Sequence, residues 1–277
     1  KIGLQGKLSN SYGSTPSTGL LTIPSDNKPL YSANIIYRLN EEDIFLKPLF
    51  KRDKLMTFGG TTVSNALIPK FKTSQININY DSKGNLFGFY GYSLSNIFQL
   101  EVLNIGRFNQ NLIKHKNLGL KNSYLSKNNL NYRLGGKLLI ISPQKDDLFW
   151  MTLRASVGRN HETNQGYLTS ELINTFRLNN SIALNLSPKY FFSGVESFVG
   201  LGLSSYINLS DNVQIIPEIN NTFKDESDFN STLTLRYAYR PNKSIDLYYS
   251  DAPGIQDIGQ FLEDKKYRFG IKLNFLY

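Results

Sequence analysis

The sequence predicts an all-β fold, a single antiparallel transmembrane barrel of about fourteen strands, and three observations carry that prediction. The stretch 267–277 alternates without a break. Tyr267, Phe269, Ile271, Leu273, Phe275 and Tyr277 fall on one face, and Arg268, Gly270, Lys272, Asn274 and Leu276 on the other. Side chains of a strand point to opposite sides in turn, so this is one apolar wall and one mostly polar wall. From residue 132 onward the segments alternate in the same way, and their joints are tight and long by turns. Short turns at one rim and long loops at the other mark a barrel with periplasmic and extracellular ends. Finally, the mean hydropathy is −0.32, and no apolar run approaches the ~20 residues of a spanning helix. A barrel needs only every second strand residue apolar. The same alternation also fits a soluble β-sandwich or a fibre-like β-protein.

In chain order, 2–12 is a first strand with Ile2, Leu4 and Leu8 on one face. Residues 13–30 hold a turn-rich stretch and a short apolar one stopped by Pro24, and are expected to form a mouth or plug segment. Residues 31–40 alternate well, and 43–52 is a strand broken at Pro48. Residues 53–69 have no clear period. Their Gly59-Gly60-Thr61-Thr62 run lacks the Gly-Lys-Ser/Thr ending and the strand-to-helix setting of a phosphate loop.

Residues 72–80 and 86–94 form a hairpin, and 97–107 continues it. The Lys- and Asn-rich 108–129 is a long extracellular loop or an inward constriction. Strands follow at 132–141, 148–159, 167–178, 182–192, 198–209, 213–224, 232–240, 245–250 and 266–277. Pro217 removes a ladder donor and suggests a bulge. The ambiguous first seventy residues admit twelve to sixteen strands, an even number being required if both ends lie at one rim.

Composition narrows the function. Seventeen Tyr and eighteen Phe suit strands and interfacial girdles. The absence of Cys excludes disulfide and thiolate sites. The net charge of +9 is spread along the chain rather than clustered, which argues against nucleic acid. With the apolar face on lipid, strand phase turns Arg38, Arg133, Lys137, Arg154, Arg177, Lys189, Lys224, Arg236, Arg240, Arg268 and Lys272 inward, against Glu101, Glu171, Glu218 and Asp246. Of these bases all but Lys224 are the candidate lumen and solute-binding residues. A cationic lumen favours anions; the competing expectation is that the charges pair across strands and plug the barrel. Gly200, Gly202, Ser204 and Gly270 leave room inside for long side chains from neighbouring strands.

No catalytic constellation is found. His115 and His161 are the only histidines, and no serine stands two residues from His161 as in barrel phospholipases. No cofactor or metal site is expected.

The run Gly19-Leu20-Leu21-Thr22-Ile23-Pro24-Ser25, followed directly by a strand, resembles the N-terminal signature of the YjbH/GfcD type of outer-membrane proteins. That resemblance implies a place in exopolysaccharide secretion. The expectation is therefore a non-enzymatic outer-membrane channel or export component that passes anionic solutes or an acidic envelope polysaccharide. Two alternatives stand beside it: a closed barrel acting as scaffold or adhesin, and a lipid-modifying barrel enzyme. The expected partners are outer-membrane lipid, the anionic solute or polysaccharide, and barrel-assembly machinery acting through the C-terminal strand. The chain is expected to be a mature form whose signal peptide has been removed.

Overall fold

The computed structural model describes residues 2–9, 30–37, 51–107, 131–142, 149–160, 165–192, 197–223, 228–252 and 267–277. The chain divides into two compact units, Lys1–Phe45 and Leu46–Tyr277. In the first, β1 (Ile2–Ser9) and β2 (Leu30–Tyr37) form a two-stranded antiparallel sheet, from Ile2 opposite Tyr37 to Ser9 opposite Leu30.

The second unit opens with a short helix, α1 (Lys51–Met56). Then come β3 (Ser74–Asp81), β4 (Asn85–Ser93), β5 (Phe98–Arg107), β6 (Asn131–Ile141), β7 (Phe149–Asn160) and β8 (Gln165–Arg177). They are followed by β9 (Ile182–Phe192), β10 (Ser197–Asn208), β11 (Val213–Phe223), β12 (Asp228–Arg240), β13 (Lys243–Ser250) and β14 (Arg268–Leu276). Each strand pairs antiparallel with the next, and β14 returns to β3, closing a barrel of twelve strands. At that seam Ser74 and Tyr277 exchange backbone bonds of 2.8 and 2.9 Å.

All twelve barrel strands fall on segments that alternate in sequence. The expected count of about fourteen is corrected to twelve, because β1 and β2 pair with each other in a separate sheet. The barrel is thus drawn from residues 74–276 rather than from the whole of 1–277. The expected strand 43–52 and loop 108–129 lie largely or wholly outside the described residues, as do residues 13–29 of the proposed plug segment. Pro217 makes no bulge. Leu203 faces Ile219 and Ile207 faces Ile215 with the register unchanged, so the missing donor interrupts the β10–β11 ladder without shifting it. The register does shift between Tyr237 and Arg240 and between Leu139 and Ile141.

Burial follows strand phase in the sense opposite to a soluble protein. Phe269, Leu235 and Leu203 are 68, 45 and 43 % exposed, whereas Arg236 and Lys272 are fully buried. Exposed aromatics gather at the strand ends. Phe192, Phe223, Phe229, Tyr249 and Phe269 stand at one rim, and Phe176, Tyr237, Tyr239 and Tyr277 at the other. Tyr249 stacks on Tyr267 and packs against Phe269, at centroid distances of 4.8 and 4.7 Å. An apolar belt with aromatic girdles is the surface of a barrel in lipid. No described helix is long and apolar enough to cross a membrane.

Candidate channel lumen

The inner wall is polar because every second strand residue is. Arg133, Lys137, Arg154, Lys189, Arg236, Arg268 and Lys272 are buried and Arg177 partly buried, all on the inner face as their phase predicts. Arg38 and Lys224 lie outside the described residues. Arg240 is exposed where β12 runs into its turn, so it stands at the rim and not on the buried wall.

The wall's charges are organised in pairs between strands. Glu101 accepts from Arg154 Nε at 2.7 Å and from Arg133 Nη1 at 3.2 Å, and Arg154 also reaches Glu171 at 3.4 Å. Arg236 grips Asp246 with two parallel bonds, Nε to Oδ1 at 2.8 Å and Nη2 to Oδ2 at 2.7 Å. Arg268 pairs with Asp81 at 3.3 Å. Gly202 lies under Lys189, whose Nζ crosses it to Asn220 Oδ1 at 2.7 Å, so the room left by that glycine is used as expected.

The lumen between these walls is occupied. Residues 60–69 are buried throughout, as are Asp53 and 55–58, and their polar partners lie on seven strands. From β6, Lys137 donates to Leu67 O at 2.6 Å; from β7, Thr152 donates to Ala66 O at 2.5 Å and Arg154 to Ser64 Oγ at 3.2 Å. On β8, Thr175 Oγ1 accepts from Ala66 N at 2.8 Å and Arg177 pairs with Asp53 at 2.7 Å. Tyr206 on β10 accepts from Asn65, and Glu218 on β11 accepts from residues 61–63. Arg236 on β12 donates to Leu55 O at 2.8 Å and Gly59 O at 2.5 Å, and Lys272 on β14 to Gly60 O at 2.6 Å. The segment also buries apolar side chains, Leu55, Met56, Phe58, Val63, Ala66, Leu67 and Ile68; Leu55 and Phe58 pack on Ala238 and Leu276, and the Arg236 guanidinium sits 5.6 Å from the Phe58 ring centre.

This segment changes what the cations do. Arg236, Lys137 and Lys272 direct donors at main-chain carbonyls of the inserted segment, not at an open pore. Among the described residues the excess of positive charge is one: the seven buried bases and the partly buried Arg177 stand with seven buried acids, Asp53, Asp81, Glu101, Glu171, Glu218, Asp246 and Asp251. Sequence phase found four of those acids. It missed Asp53, which comes from the unassigned segment, Asp81, which closes β3 beside its turn, and Asp251, which follows β13. The signal for the inserted segment was its position: an aperiodic run mixing Leu, Phe and Val with Thr and Asn, directly before the first barrel strand.

Among the described residues no cluster of His, Cys, Asp and Glu has the make-up of a metal site, and both histidines lie outside them.

By structure the chain is similar to the KdgM porin, both alone and in complex with disordered oligogalacturonate. Each comparison has a TM-score of 0.53 and 8 % identity, covering 73 % of this chain and 98 % of that one. The NanC porin is similar over the same shares, with a TM-score of 0.51 and 8 % identity.

The fold is that of outer-membrane porins.

No protein-family model matches the sequence, and no curated protein does. Within the porin fold, the inserted residues 53–69 and their seven-strand network are the feature from which a function has to be read.

Proposed function

We propose that the chain is a non-enzymatic outer-membrane channel, closed at rest by its own residues 53–69, which passes anionic solutes when that segment is displaced. One observation carries the reading: charged and hydroxyl groups of the wall bond to the main chain of the inserted segment. Bonds of that kind can be exchanged for bonds to water or to a hydrated solute, which keeps the net worth of each to roughly 0.5–1.5 kcal/mol for the hydroxyl and roughly 1.5–3 kcal/mol for the charged donors.

The preferred solute is an acidic saccharide. Lys137, Arg154, Arg177, Arg236 and Lys272 give up their contacts to the segment as it leaves and offer donors to carboxylates, with Arg133, Lys189, Arg268, Arg38 and Arg240 further expected contributors. The oligogalacturonate bound to one porin neighbour and the resemblance of residues 19–25 to the YjbH/GfcD type both support a polyanionic sugar. The outer face is read as contacting outer-membrane lipid and the C-terminal strand as the contact for barrel assembly.

A closed scaffold or adhesin is the second reading, favoured by the number of strands tied to the segment. Planar-bilayer recording separates the two. The unaltered protein is expected to be mostly silent, and replacing residues 57–66 by a Gly-Ser linker is expected to give anion-selective current steps. A replacement variant that still shows heat-modifiable migration in detergent, yet carries no current, would establish the scaffold and end the channel proposal.

A further inference from the structure

Glu218 is bound differently from most of the other buried acids. Asp53, Asp81, Glu101, Glu171 and Asp246 each pair with an arginine, and Asp251 accepts from Ser231 within the wall. Glu218 instead takes the tip of the inserted segment. Thr61 N donates to Oε1 at 2.6 Å; Thr62 N and Thr62 Oγ1 donate to Oε2 at 2.5 and 2.6 Å, and Val63 N at 3.0 Å. Three successive main-chain N–H groups converging on one carboxylate form an anion-binding nest.

The turn is shaped for that ligand. Gly59 has φ +71°, in the left-handed region. A Cβ on Gly60 would collide with Glu218 Oε1 and lie 2.5 Å from the Val63 carbonyl oxygen, so no side chain fits between nest and carboxylate. The N–H groups of 61–63 face Glu218, those of Gly59 and Gly60 donate to Met56 O and Val63 O, and the Gly59 and Gly60 carbonyls receive Arg236 and Lys272. Thr61 and Thr62 share a tight buried void with Asp81, Tyr248 and Arg268.

We propose that residues 59–63 are a carboxylate-binding site, filled at rest by Glu218, for which the carboxylate of an entering acidic sugar competes. The proposal rests on the gated-channel reading and adds its trigger. Two carboxylates cannot share the same three N–H groups, so the entering one detaches the turn from β11, and Glu218 is the latch of the closed state.

The test uses Glu218→Ala and Glu218→Gln in the full chain, each checked for heat-modifiable migration, with recording in planar bilayers. Losing these charge-assisted bonds is expected to raise the open fraction at least tenfold, which corresponds to ~1.4 kcal/mol. In Glu218→Ala, acetate is expected to reoccupy the nest and lower the current again, while acetamide, its neutral counterpart, does not. On the unaltered protein, glucuronate is expected to raise the open fraction and glucose to leave it unchanged. If both folded variants stay as closed as the unaltered protein while the 57–66 replacement conducts, the latch is refuted and the channel reading survives. Silence of all three variants refutes the channel itself. An open Glu218→Ala channel that ignores acetate refutes the carboxylate site.

Discussion

Arg236 shows how one wall residue serves two structures at once. Its guanidinium holds Asp246 on the neighbouring strand through two bonds and the inserted segment through Leu55 O and Gly59 O. Both members of the pair are fully buried. Removing one partner of such a pair leaves an uncompensated charge and costs about 3–5 kcal/mol, whereas replacing both by apolar groups is often close to neutral. Arg236→Met is therefore expected to destabilise the barrel by that amount in urea unfolding from detergent micelles. The double substitution Arg236→Met with Asp246→Leu is expected to recover most of it. Equal loss in both variants would show that Asp246 contributes little and that the carbonyl bonds to the segment dominate. Strand phase was enough to place Arg236, Lys272 and Glu101 inside, because alternation sets the side of the sheet. It could not reveal the partners: pairing depends on which strands are neighbours and at what register, and Asp53 reaches Arg177 from outside any strand.

At the scale of the element, β14 joins the two halves of the problem. Gly270 faces Tyr248 across the β13–β14 ladder, and a Cβ there would collide with the ring. The ring lies over the glycine and its hydroxyl reaches Asn79 on β3 at 2.9 Å, so three strands are tied through the space a side chain would take. Gly88 on β4 has nothing within 4 Å of the same position. Gly270→Ala is thus expected to cost about 1–3 kcal/mol by overpacking, with Gly88→Ala close to neutral, as read from the unfolding midpoints of the two variants. A Gly270→Ala barrel as stable as the parent would mean that Tyr248 swings away freely. The strands themselves were legible because a period of two, sustained over eight or more residues, is the signature of a sheet with two unlike faces. Residues 53–69 were not. Their order comes from contacts with seven strands distant in the chain, and a segment held by its surroundings has no period of its own.

The whole molecule inverts the partition of a water-soluble protein, with Leu235 and Phe269 outside and Arg133 and Lys272 inside. Trp150, the single tryptophan, belongs to the inner set at 6 % exposure, while Val157 on the same strand is 55 % exposed on the outer set. In vesicles of brominated-chain lipids the emission of Trp150 is expected to be little quenched. A tryptophan at Val157 in a Trp150→Phe background is expected to be strongly quenched. Strong quenching of Trp150 would reverse the assignment of inside and outside on which the lumen depends.

Residues 57–69 run on through 70–73 into β3, which is locked into the closed ring by its pairing with β14 on one side and β4 on the other. Whatever moves this segment aside leaves it on a leash. Its return is an event within one molecule, at an effective concentration on the order of millimolar for short connections. The default state is restored by the chain alone as soon as the displacing solute moves on.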